Sequence, residues 1–313
     1  MDRADRDRPA HLADGGHLGS GASAVHHREG ATMVYLTRTC RFCAGHRLFR
    51  PELSDAQNEQ LYGSACSRVH GCGHDYQLEV TVGGQVDPVT GILIHPDDLD
   101  GILYEQVIEP VDMEFLTLHH PFCRGRVPTI ESLAVCVWDA VAEGLRASKP
   151  PAYLHRVRLK ESDRLAADCA RKGSRRMHFL TRSYEFAAAH RLHSPYLTDE
   201  ENQEVFGKCN NPYGHGHNYR LEVTVRGKID DRTGMLVDLR ELDRIVQEEV
   251  IRRYDHRHLN HEVEEFRELN PTAENLVRVV WRRLRHRIKG PRLYKVSLRE
   301  TEQNVVSYYG EEE

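Results

Sequence analysis

The sequence predicts an α+β chain of two tandem copies of one unit, each an antiparallel sheet carrying a helix pair. Three observations support this. First, CSRVHGCGHDYQLEVTVGGQVDPVTGIL, starting at Cys66, falls without a gap on CNNPYGHGHNYRLEVTVRGKIDDRTGML, starting at Cys209, at an offset of 143 residues. The same offset carries Asp112 onto Asp255, Leu116 onto Leu259, PTIES (128–132) onto PTAEN (271–275) and Trp138 onto Trp281. Second, YRLEVTVRG alternates with period two, which sets Leu221, Val223 and Val225 on one face of a strand. Third, Leu239, Leu242, Val246 and Val250 recur at helical spacing.

Each copy is expected to run strand, strand, helix, helix, strand. In the second copy HFLTRSYEFAAAH supplies the first strand and YRLEVTVRG the second. Asp238 then caps LRELDRIVQEEVIRRY. Asn270 and Pro271 open a second helix, with the proline in its first turn and Leu276, Val280, Leu284 and Ile288 four apart. LYKVSLRE is a third strand and VVSYYG a short fourth. FCAGHRL (42–48) matches FAAAHRL (186–192), and VRLKES (157–162) matches VSLRET (296–301), so the join falls between Cys169 and Met177. The domains expected are 33–170 and 177–313, preceded by a disordered leader, 1–32, rich in Gly, Ala, His and charge; Met33 is a candidate start.

At 313 residues the chain can bury two cores. A net charge of −5 with scattered Lys and Arg offers no nucleic-acid face. No apolar run nears the roughly 20 residues of a membrane helix. Eight cysteines without an export signal point to a reducing cytoplasm with free or metal-bound thiols rather than disulfides. Cys40 and Cys43 form a CxxC within a strand, where positions three apart face opposite sides and do not share a metal.

His215 and His217, two apart at a strand entry, share one face. His190 ends the preceding strand, in position to sit opposite them. Three neutral imidazoles with an open position describe a catalytic zinc site, and Gly214 and Gly216 let the backbone turn closely beside it. Cys209 fits two readings. It closes a structural site as fourth ligand, or it stands outside the metal as a proton-transfer thiol, helped by the adjacent Asp255 and His256. Lys208 and Arg191 are positively charged neighbours of the motif, most simply solvated.

AAHRL, FGKCNNPYGHGHNY, D-x-x-TGML-x-D-L, DHRHLN, NPTAENL and RETEQNVVSYYG, covering residues 178–310, together resemble the family of 6-pyruvoyl-tetrahydropterin and 6-carboxytetrahydropterin synthases. The resemblance implies tandem tunnelling-fold (T-fold) domains whose sheets close into a barrel on oligomerisation. It implies zinc on His190, His215 and His217, a catalytic triad of Cys209, Asp255 and His256, and pterin binding by Glu300, Thr272 and Glu274. The substrate implied is 7,8-dihydroneopterin triphosphate, converted to 6-pyruvoyl-tetrahydropterin with loss of triphosphate. The alternatives are the carboxytetrahydropterin product of queuosine precursor synthesis, with release of acetaldehyde, and a non-catalytic zinc- or pterin-binding protein. The five residues between Cys209 and His215 resemble the pyruvoyl-forming branch.

The first copy departs from this pattern. His46 and His74 match His190 and His217, but Cys72 stands at the remaining zinc position, with His70 close by in sequence; Cys66, Glu131 and Glu161 are kept, and His256 becomes Met113. A methionine cannot shuttle a proton, so this copy is expected to be structural or pocket-lining. In the family the site lies between subunits. Barrels of like copies, three chains giving six domains, would return Asp255 and His256 to Cys209.

Overall fold

The computed structural model describes residues 33–148 and 150–310; the leader expected at 1–32 lies outside the described residues. The first copy supplies strands β1 (Val34–His46), β2 (Cys72–Gly84), β3 (Glu114–Leu116), β4 (Tyr153–Ser162) and β5 (Leu165–Lys172). The second supplies β6 (Arg175–His190), β7 (His215–Gly227), β8 (Arg257–His258), β9 (Arg292–Arg299) and β10 (Val305–Tyr308). All ten join in one sheet of order β10-β9-β7-β6-β5-β4-β2-β1-β3, with β8 on β6. Its ladders are antiparallel except β1 with β3 and β6 with β8, short parallel additions that period-two patterning does not reveal.

The helices of the first copy are α1 (Asp55–Tyr62), α2 (Ser64–Ser67), α3 (Pro96–Leu103), α4 (Glu109–Val111) and α5 (Ile130–Ser148). Those of the second are α6 (Asp199–Phe206), α7 (Leu239–Val246), α8 (Arg252–Tyr254), α9 (Leu259–Glu262) and α10 (Ala273–Leu284). α1 and α6 start in capping boxes, Ser54 with Gln57 and Thr198 with Glu201. A π turn bridges α3 to α4 at Tyr104–Ile108 and α7 to α8 at Gln247–Ile251, so each first long helix continues past one widened turn.

Asp238 caps α7 as expected, its carboxylate accepting from Arg240 N. The second helix differs in detail. Thr272, not Pro271, is the N-cap of α10, accepting from Asn275 N, and Ile288 lies past the helix end, although it is buried. The hydroxyl satisfies a free helix N–H that a proline, fixed in φ, can only precede. Leu221, Val223 and Val225 on the sheet pack into one core with Leu242, Val246 and Val250 of the first helix and Leu276, Val280 and Leu284 of α10.

The copies are fused more closely than the repeat implies. β5 and β6 are joined by two residues, Gly173 and Ser174, with Gly173 at φ +61°, and pair from Leu165↔Arg182 to Lys172↔Arg175. The expectation of separate barrels of like copies is therefore corrected at the level of the chain: so short a hairpin holds unlike copies side by side in one sheet. Above this ladder, residues 232–240 of the second copy lie on the first. The Thr129 hydroxyl donates to Gly234 O at 2.5 Å, the Ser132 hydroxyl to the same oxygen at 3.2 Å, and Leu236 N to the Glu131 carboxylate at 3.0 Å. Tyr62 donates to Thr233 O at 3.1 Å.

Candidate active site

β6 and β7 pair with His190 directly opposite His215, and His217, two residues on, keeps the same face. The ring nitrogens of the three histidines that face one another lie within 4.8 Å. His190 is fully buried; its Nδ1–H donates to the Pro271 carbonyl at 2.8 Å, which leaves its Nε2 lone pair facing His215 Nε2 at 3.2 Å. Pro271, which precedes the N-cap of α10, thereby fixes the tautomer of a strand residue, as outer partners of metal-binding histidines do. Burial first, and neighbouring imidazoles after it, hold His190 and His215 below the ordinary histidine range, so both are neutral donors. Three converging imidazoles, His190 and His215 among them neutral, fit zinc with an open position.

The Glu300 carboxylate stands over this cluster, with Oε1 at 3.7 Å from His190 Nε2 and 3.9 Å from His217 Nε2. Asn304 holds its other oxygen at 2.8 Å. Tyr219, next in the period-two series after His217, places its hydroxyl 3.5 Å from both Glu300 Oε1 and His190 Nδ1. Sequence reasoning misses both Tyr219 and Asn304, although the spacing 215, 217, 219 contains the signal for the tyrosine.

Cys209 lies in a 3-10 turn (Gly207–Asn210), a free and half-buried thiol that is not part of the three-histidine cluster. Its carbonyl accepts from Leu192 N at 2.9 Å. Asp255 and His256 touch one another, Oδ1 to Nδ1 at 3.0 Å, and Asp255 also accepts from Ala187 N at 2.9 Å, which keeps its carboxyl below the usual range. His256 sits at φ +56° with its side chain 82% exposed. Among the described residues no hydrogen bond or ion pair joins Cys209 to this pair. Thr272 spends its hydroxyl on the helix cap, Glu274 is exposed in the first turn of α10, and Arg191 is bound to Asn210 at 3.0 Å.

Sequence comparison agrees with this geometry. The model of the family described as 6-pyruvoyl tetrahydropterin synthase matches twice, at residues 35–172 and 179–311. The chain belongs to the 6-pyruvoyl tetrahydropterin synthase family. It is 50% identical over 133 residues to a 6-pyruvoyl tetrahydrobiopterin synthase of Drosophila melanogaster, covering 42% of this chain and 79% of that protein. To the Homo sapiens protein of the same name it is 44% identical over 132 residues, 42% of this chain and 91% of that one. A solved 6-pyruvoyl tetrahydropterin synthase of Caenorhabditis elegans aligns at 42% identity and a TM-score of 0.42, over 43% of this chain and 96% of its own.

Within this family member the first copy keeps the backbone and changes the chemistry. Met113 repeats His256 at φ +62°, with N–H bonds of 2.6 Å to Cys43 O in one copy and Ala187 O in the other. Asp112 accepts from Cys43 N at 2.9 Å, as Asp255 does from Ala187. His46, Cys66, Cys72 and His74 cluster with ligand atoms within 4.8 Å; His70 is exposed and not among them. Cys66 and Cys72 are disulfide-bonded, which corrects the expectation of free thiols; their Cα atoms, 5.2 Å apart, are within reach of a bridge, and the other six cysteines are free. A cavity of about 120 Å³ beside them is lined by Glu131 and Glu161 of the first copy and by Met235, Val237 and Arg240 of the second. Burial pushes the Glu161 carboxyl up to about 7.

The junction explains an asymmetry between the copies. Glu131, under residues 232–240, is 4% exposed, whereas its counterpart Glu274 faces solvent. The segment matching 232–240 in the first copy is 89–97, and Val89 is 91% exposed.

Proposed function

We propose that the second copy is the active site of a zinc-dependent lyase that converts 7,8-dihydroneopterin triphosphate to 6-pyruvoyl-tetrahydropterin with loss of triphosphate. One observation carries this reading: a carboxylate fixed by Asn304 stands 3.7 and 3.9 Å from two imidazoles of an open three-histidine cluster. On this reading the pterin anchor and the metal stand side by side. Zinc bound by His190, His215 and His217 supplies Lewis acidity toward the hydroxyls of the substrate side chain. Glu300 accepts hydrogen bonds from the aminopyrimidinone edge and so orients the ring. Cys209, outside the ligand set, moves a proton on the side chain, and Asp255 with His256 stabilises its thiolate.

The pair reaches Cys209 from the second copy of a chain in a second, stacked ring, because within a ring joined edge to edge each second copy adjoins only first copies, whose counterpart of the pair is Asp112 and Met113. In the same assembly, residues 89–97 of a neighbouring chain cover Thr272 and Glu274 as residues 232–240 cover Thr129 and Glu131. The free edge of β10, where Val305 is 48% exposed, then pairs with the outer edge of β1, where Tyr35 is 52% exposed, repeating the β5–β6 ladder between chains. Three chains giving six domains is the expected count for one ring. Mass in solution reads it, and a stable, active monomer would refute the assembly. The proposal also puts the chain in the cytoplasm, which fractionation checks.

The test is product identity from purified protein given dihydroneopterin triphosphate. Pyruvoyl-tetrahydropterin supports the reading; acetaldehyde with carboxytetrahydropterin assigns the other branch of the family. Cys209→Ala is expected to abolish turnover with zinc retained, whereas loss of zinc would make Cys209 a ligand. Binding of pterin without turnover in the wild type would leave a binding protein only.

A further inference from the structure

We propose that the first copy holds a zinc ion of its own in a closed site of His46, Cys66, Cys72 and His74, available only when the Cys66–Cys72 disulfide is reduced. The four side chains come from the end of β1, from α2 and from the start of β2, and their ligand atoms lie within 4.8 Å of one another. His46 is 1% exposed, and its Nδ1–H donates to the Pro128 carbonyl at 2.9 Å. Its Nε2 therefore carries the lone pair, is buried, and has no hydrogen-bond partner. His74 Nε2 is also buried without one; its nearest acidic neighbour, Glu161 Oε1, is 3.6 Å away. Burying a polar nitrogen unpaired costs about 1–3 kcal/mol, and two of them within 4.8 Å of a pair of sulfurs describe a metal site.

This set differs in kind from the one in the second copy. There three imidazoles converge and the thiol of Cys209 is outside. Here one imidazole is replaced by Cys72, and the thiol of Cys66 has moved inside. Two imidazoles and two thiolates fill a tetrahedral zinc shell, leaving no position for substrate oxygens. The ion in the first copy therefore holds structure: it ties the ends of β1 and β2 to α2, beneath the cavity that residues 232–240 close.

In the disulfide the two sulfurs are bonded to each other and neither carries the charge zinc requires. A dithiol opens it: the S–S bond breaks, two electrons and two protons pass from the dithiol to Cys66 and Cys72, and the dithiol leaves as its cyclic disulfide. Zinc then displaces the two thiol protons. A disulfide oxidant reverses the exchange, taking the two electrons, leaving as two thiolates that take their protons from water, and releasing the metal. The proposal does not depend on the lyase reading.

The experiment measures bound zinc per full-length chain after equilibration with zinc, with and without prior dithiol reduction. Two ions when reduced and one when oxidised is the expected result. His190→Ala removes the ion of the second copy and is expected to leave one zinc, present only in the reduced protein. Cobalt in that variant should give a thiolate-to-metal charge-transfer band that Cys66→Ser and Cys72→Ser each abolish. If a serine variant fails to fold, alkylation of the reduced wild type decides: zinc should protect Cys66 and Cys72 at least tenfold in rate. One zinc per chain in both redox states, or alkylation unaffected by zinc, would overturn the proposal; two in both states would overturn its redox dependence.

Discussion

Replacing His256 by Met writes into the second copy what the first already contains, so its outcome can be worked out residue by residue. The backbone cost is small, because Met113 occupies the same left-handed conformation, φ +62° against +56°, with the same 2.6 Å N–H bond to the neighbouring strand. The side chain gives up little packing, since Met113 is 82% exposed and the His256 side chain equally so. The interaction of His256 with Asp255, 3.0 Å at the surface, is worth at most about 1 kcal/mol. Asp255 keeps its bond to Ala187 N, as Asp112 keeps its bond to Cys43 N. Stability should therefore change by no more than about 0.5–1 kcal/mol. Activity should behave differently, since removing a proton-relay group costs about 10²–10⁴ in rate, or about 3–5 kcal/mol of barrier. The assays are triphosphate release under saturating substrate, zinc content, and the urea midpoint. A variant within threefold of wild-type rate would end the relay assignment, and a loss of more than about 2 kcal/mol in stability would refute the comparison with Met113.

Four further outcomes follow from the same structure. Cys209→Ala and His256→Met, each inactive alone, should regain activity when mixed under subunit exchange; exchange without recovery would put both groups to work within one chain. Gly234, at φ +76°, would bring a Cβ within 2.8 Å of Ser132 Oγ and 2.9 Å of Val127 O, so Gly234→Ala should cost about 2–3 kcal/mol in chain stability. Gly91, at φ +71° with open space around it, should cost only about 1 kcal/mol as alanine yet shift the assembly toward smaller species by light scattering. His178, paired with Cys169 across the copy junction, is pushed by burial down to about 4, and its Nδ1 has no hydrogen-bond partner. The unfolded chain, with histidine near 6.5, binds the proton first, so stability is intact above about pH 6.5 and falls as pH drops toward 4. Discounted for partial exposure, the loss at pH 5 is about 1 kcal/mol, and His178→Gln should remove that part of the pH dependence of the urea midpoint.

The repeat, the strand faces and the three clustered histidines are legible because each depends on local periodicity plus one long-range match. An HxH at period two must share a face, and AAHRL before it must lie across the hairpin. Other features depend on neighbours that spacing does not name. Pro271 orients His190 through a backbone carbonyl, a role no side-chain motif carries. The π turns at Tyr104–Ile108 and Gln247–Ile251 carry no residue signature. Repeat matching does not give the arrangement of the copies, because it shows which segments are alike, not which sheet edges meet, and the two residues at Gly173–Ser174 decide that. Alignment to Cys209 makes Cys66 a lone thiol; only its distance to Cys72 shows that the substitution of one histidine changed the partner of the other cysteine.

The two-residue link between β5 and β6 also changes how an assembly of these chains responds to dilution. Contacts between separate subunits weaken together as concentration falls. Here the contact between unlike copies within a chain is intramolecular, with an effective local concentration that dilution does not touch. The pocket at Glu131 thus stays closed in a lone chain, and in the proposed assembly its exposed counterpart at Glu274 would answer to how many chains are present. In that assembly fusion would make one of two equivalent pockets permanent and leave the other, which carries the intact histidines, as the concentration-dependent one.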